Sequence, residues 1–339
     1  MSSISNSIWI FSPAIDFFAL CGGSLWLLAM ISSWLSQSFP VGHASSQGMI
    51  LLLGSVLLSD PHFGAPINQA WSLGHRKAIC ASLIAVVLGI FTVLVLPAVG
   101  PAWAANILPC LAQSYLFIIT IHFTMQNAAI AKLYLKRANF ELDNIAIYCM
   151  QACFVVNAVH AYLLQIENPQ AIQSTFLGMT LPSLPTIPPD LTTALFWLIC
   201  ITGSIFVIGL IVNALSDDKK RVPLPALLVI ATNMIMFNLT DKTSMDTWIF
   251  VPAFLHGLQT IALHLFQRKK DLRQRKINTP EFVCNSLLIG CSVTFVVPAF
   301  MSVFAHNWTE AYAATIIIFS FHHFGLEFLQ TRRIVNSGT

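Results

Sequence analysis

Four histidines, His62, His122, His256 and His323, stand in four separate apolar stretches of this 339-residue chain. A neutral imidazole binds metals, accepts protons and relays them. Inside hydrocarbon it is costly enough to mark function. Counted from the basic end of each stretch at about 1.5 Å per residue, His323 lies roughly 12 Å deep, His122 and His256 roughly 15 Å, and His62 roughly 20 Å. Taken singly, each is equally well explained as a packed residue bonded to the next helix. The shared depth is what that explanation leaves out, and it predicts a metal site within the bilayer.

The neighbours of these histidines fit such a site. Glu327 follows His323 by four residues, Gln126 follows His122 by four, and Gln259 follows His256 by three. Metal-bound imidazoles usually donate their second N–H to a carboxylate or carbonyl, so these three are the groups expected to orient the ligands. His264, eight residues beyond His256, lies about 12 Å lower and is a gate, a support or a ligand to a second ion. His322 adjoins His323 and points about 100° away from it, so one of the pair faces the centre, and His323 is preferred for its Glu327 partner. Asp16, about 12 Å up the first stretch, borders the same level. Imidazoles with a carboxylate suit iron, with copper or zinc as alternatives, in one or two ions. An apolar surround without a charged-substrate pocket points to non-haem iron, dioxygen and a lipid-soluble substrate. A bis-histidine haem leaves the other histidines unexplained.

The elements that must position these groups are membrane helices. The chain is 56 % hydrophobic and 9 % charged, against roughly 25 % charged residues in a soluble domain. Apolar stretches predict about ten spans: 8–35, 49–73, 79–99, 103–133, 145–164, 191–215, 224–239, 248–266, 282–305 and 312–329. The predicted fold is an all-α, polytopic transmembrane bundle, one domain over 1–339. Sixteen of the seventeen Lys and Arg then fall on one side, with Lys242 alone opposite. The positive-inside rule makes that side cytoplasmic and puts both termini there. The Pro-rich stretch 166–190 reads as an ordered cap or re-entrant segment. The eight cysteines lie in apolar segments without a CxxC pair and read as buried small hydrophobes. His43, His75, His160 and His306 read as interfacial or structural. No phosphate-binding loop, nucleotide fold or nucleic-acid surface is apparent.

The segments Asp60-Pro-His-Phe-Gly64, His122-Phe-Thr-Met-Gln126, His256-Gly-Leu-Gln259 with His264, and His322-His-Phe-Gly-Leu-Glu327 form a set. They resemble motifs of bacterial multi-span membrane proteins of the PHF, HYxxQ, HxxQ and HHY type. More distantly they resemble the Brp/Blh family of membrane β-carotene 15,15'-dioxygenases. That likeness implies an iron held by histidines on several helices, with His62, His256, His264 and His323 at ligand positions, in a bacterial inner membrane. The chain departs from that pattern in its PHFGAPIN segment and in the wider spacing of His256 and His264. Residues and resemblance together predict an iron oxygenase acting on a carotenoid, isoprenoid or acyl lipid. Its partners are the lipid bilayer, that apolar substrate and an electron-donor protein if the chemistry is monooxygenation, with no nucleic acid. The alternatives are a proton-coupled transporter relaying through Asp16, Asp60, Glu327 and the histidines, and a metal-free lipid-binding factor.

Overall fold

The structure, a computed structural model, describes residues 8–27, 30, 60–167, 175–177, 179–182, 187–216, 221–237, 245–272, 279–305 and 307–337. His43, Lys219, Lys220, Lys242, Arg273, Arg275, Lys276 and His306 lie outside the described residues, as do the side chains of Asp60, Arg268, Lys269, Lys270, Arg332 and Arg333. The described residues form eleven α-helices. They are α1 (Pro13–Ala19), α2 (Asp60–Ser72), α3 (Arg76–Val99), α4 (Ile107–Arg137), α5 (Asn144–Glu167) and α6 (Pro189–Ser216), then α7 (Leu224–Ile235), α8 (Met245–Leu272), α9 (Thr279–Cys291), α10 (Val297–Met301) and α11 (Trp308–Ser337). A two-stranded hairpin pairs Thr175 with Thr180 and Phe176 with Met179 inside the Pro-rich stretch.

Five segments are long and apolar enough to cross a membrane: Arg76–Val99, Trp103–Arg137, Asn144–Glu167, Pro189–Ser216 and Pro280–Met301. The count of ten is not reached among the described residues, and the reasons are local. The first apolar stretch breaks after α1 at Leu20–Gly22, where Gly22 adopts φ +97. Part of the first stretch and residues 49–59 of the second lie outside the described residues. The seventh stretch forms only the 12 residues of α7, about 18 Å of helix. The ninth is one of the five and passes through a π-helical turn at Ser292–Val296 between α9 and α10. Helices α8 and α11 are long, 28 and 30 residues, and carry the polar residues described below.

Burial follows the pattern of a chain in lipid. Large apolar side chains face outward, among them Trp197, Ile201, Ile208 and Val212 on α6, while Gln126, Asn127, His256, Gln259, His264, His323 and Glu327 are buried. Side-chain contacts fix helix directions. His62 meets His256 and Gln69 meets His264, so α2 and α8 run parallel. Tyr115 meets Phe321 and His122 meets Glu327, so α4 and α11 also run parallel. Asn68 donates to the Phe282 carbonyl and to Ser286, which sets α2 antiparallel to α9. At Gly64 a Cβ would overlap the Ser286 carbonyl oxygen, so glycine is what lets these two backbones touch.

Candidate metal centre

Three helices bring an imidazole to one point. His122 on α4, His256 on α8 and His323 on α11 join Glu327, one turn below His323, and the four ligand atoms lie within 4.8 Å of one another. Glu327 Oε2 is the hub, 2.8 Å from His323 Nε2, 3.0 Å from His122 Nε2 and 3.4 Å from His256 Nε2. Glu327 was expected to orient a histidine, but its carboxylate instead stands among the potential ligand atoms. An ion about 2.0–2.2 Å from each ligand sets neighbouring ligand atoms about 3.0–3.5 Å apart; the carboxylate edges to His122 and His256 have that length, and the edge to His323, 2.8 Å, is shorter.

The nitrogens themselves test the fit to a metal. Nδ1 of His256 and of His323 is buried and makes no hydrogen bond, and the two Nε2 atoms have only the Glu327 carboxylate, at 3.4 and 2.8 Å. Their Nε2 atoms approach Glu327 without the alignment of an N–H donor. Buried polar atoms in poorly aligned contacts are costly, and an ion seated among the four ligand atoms would engage both Nε2 atoms. Three imidazoles and one carboxylate form a donor set that iron, copper and zinc each accept.

One turn beyond each histidine stands a second polar residue: Gln126 after His122, Thr260 after His256 and Glu327 after His323. These three bond to each other. The Thr260 hydroxyl donates to Glu327 Oε1 at 2.6 Å, and Gln126 Nε2 donates to Thr260 Oγ1 at 3.1 Å. Gln126 thus acts on the carboxylate through Thr260, a residue the sequence reading passed over. Its signal was the i, i+4 spacing from His256.

The remaining candidates lie elsewhere. His62 is outside the converging group, and its ring packs edge-on against His323 at 4.6 Å and His256 at 5.1 Å. His264 pairs with Gln69 on α2, two turns below. His322 turns away to Ser82 on α3, with Nε2 and Oγ 2.9 Å apart. Gln259 donates to the Leu20 carbonyl at 3.0 Å and to Asn127 Oδ1 at 2.7 Å, so its amide serves the broken first stretch. Asp16 lies in the first turn of α1, not part-way up a span. It accepts from the Ile10 and Phe11 N–H groups and from the Tyr134 hydroxyl. Tyr134 is twelve residues beyond His122 on α4, about 18 Å along the helix.

Aromatic rings close the centre: Phe324 lies 4.3 Å from the His122 ring, Phe123 4.6 Å from His256 and Phe63 5.1 Å from His323. The side chain of His122 keeps 13 % of its surface exposed, against 3 % or less for His256, His323 and Glu327. The centre is therefore least covered at its α4 side. No protein-family model matches the chain, and neither curated proteins nor solved structures give a match.

Proposed function

We propose that this protein is a membrane-embedded non-haem iron oxygenase that oxidises or cleaves a long apolar substrate, a carotenoid, isoprenoid or acyl chain. The observation that carries the reading is the closure of three imidazoles and one carboxylate on a single buried point between apolar helices. His122, His256, His323 and Glu327 hold the metal. Bound there, iron supplies an open position at which dioxygen is activated. The chain's own residues do the rest. Phe63, Phe123 and Phe324 keep water from the reacting atoms. The partly exposed edge of His122 is where a lipid-soluble molecule reaches the centre from the bilayer. An electron-donor protein is required if the reaction is monooxygenation. The positive-inside rule then puts the basic helix ends and both termini in the cytoplasm of a bacterial cell.

The transporter reading needs a relay through Asp16, Asp60, Glu327 and the histidines. Asp16 bonds to Tyr134, about 18 Å along α4 from His122, and so stands apart from the Glu327 cluster. The test is metal analysis by mass spectrometry on detergent-purified protein, with oxygen uptake in vesicles containing β-carotene or unsaturated lipid. Stoichiometric iron in wild type, background iron in His256→Ala and Glu327→Ala, and substrate-dependent uptake in wild type alone are expected. A folded wild type that takes up no metal overturns the reading and gives the histidines to proton or substrate binding.

A further inference from the structure

Glu327 has two carboxylate oxygens, and the protein treats them differently. Oε2 faces three imidazole nitrogens at 2.8–3.4 Å. Oε1 takes the Thr260 hydroxyl at 2.6 Å, the length of a charge-assisted O–H···O⁻ bond. A threonine hydroxyl has one proton, and here it goes to the carboxylate. The contact between Thr260 and Gln126 must then be accepted from the amide NH2, and this fixes which way Gln126 faces. Thr260 is fully buried, Glu327 2 % exposed and Gln126 4 % exposed, so no water competes for these bonds.

From this arrangement we infer that Thr260 is a positioning residue that holds Glu327 to the metal through one oxygen and keeps a coordination position open beside it. The inference rests on the metal-centre reading above. A glutamate free to turn offers both oxygens to one ion, as carboxylates do in many oxygen-ligand sites. The second oxygen then takes the position that a small molecule would occupy. With Oε1 tied to α8, Glu327 contributes Oε2 alone. The tie crosses between helices, because α11 supplies the carboxylate, α8 the hydroxyl and α4 the amide behind it. The three residues that follow the histidines by one turn thus act as a rigid floor under the ligand plane.

The test uses the full-length, detergent-purified chain loaded with Co2+ alone, whose visible absorption is strong at low coordination number and weaker at higher number. Wild type and Thr260→Ser, which keeps the hydroxyl, give the strong spectrum. Thr260→Val gives the weaker spectrum of a chelating carboxylate and binds Co2+ roughly 10- to 100-fold less tightly, the usual cost of losing a ligand's support. Gln126→Leu removes the anchor but not the hydroxyl and moves the spectrum the same way, so the inference survives a Val variant that does not fold. Wild-type spectrum and affinity in both Thr260→Val and Gln126→Leu overturn it while leaving the metal centre in place. Failure of wild type and Thr260→Ser to bind Co2+ at all overturns the metal centre itself.

Discussion

Gln126 and Gln259 occupy similar places in the sequence, each within one turn of a histidine, and do different work. At about 100° per residue, a position four residues on lies about 40° round the helix, whereas three residues on lies about 60° round the other way. Gln126 and Thr260, at i+4, share the face of the metal centre. Gln259, at i+3, faces the broken first stretch and holds the Leu20 carbonyl and Asn127. Gln259→Leu is accordingly expected to lower stability by about 1–3 kcal/mol, because it leaves buried acceptors unmade, while metal content stays at the wild-type level. Thermal melting and metal analysis of one preparation read both quantities, and loss of metal in a folded variant contradicts the assignment. His122, His256 and His323 were legible in the sequence because they share a depth, and Glu327 because it lies one turn from His323, though it was read there as orienting the histidine and not as a ligand. Thr260 was not legible, because a threonine in an apolar helix more often bonds back to its own backbone, as Thr120, Thr124 and Thr315 do here.

Helix α2 carries His62 to the rings of His256 and His323 only because its backbone presses on α9 at Gly64. Gly64→Val forces the two helices apart and is expected to cost about 3 kcal/mol, the upper end for overpacking. Gly325 is the control: it stands between His323 and Glu327 in sequence, yet a Cβ there meets nothing within 4 Å. Gly325→Ala is expected to be neutral or stabilising by up to about 1 kcal/mol, with unchanged metal content. Melting curves of the two variants separate them, and equal destabilisation contradicts the packing argument. Hydropathy shows that an apolar run is long enough to span but not whether its backbone stays helical. The run 8–35 reads as one helix by composition, yet α1 ends at Ala19 and Gly22 turns the chain. The adjacent Gly22 and Gly23 were the local sign. The π turn at Ser292–Val296 has its own marker in Pro298, whose missing N–H leaves the helical ladder incomplete at Thr294.

An ion seated among the four ligand atoms would tie α4, α8 and α11 together, helices drawn from the first half of the chain to its end. Ligand binding to the folded state alone adds about 2.7 kcal/mol when free ligand is at about 100 times its dissociation constant. Chelation should therefore lower the melting temperature of wild type by several degrees and leave metal-free Glu327→Ala unchanged; an identical shift in both would mean that the chelator acts elsewhere. The break at Leu20–Gly22 has a consequence for how the molecule is made. The Leu20 and Cys21 carbonyls are satisfied by Gln259 and Thr232, 239 and 211 residues further along. At ribosomal speeds of about 5–20 residues per second, those partners emerge on the order of ten to fifty seconds later. A segment made long before its partners must thus wait for them, and the Leu20–Gly22 break closes only once α7 and α8 are present.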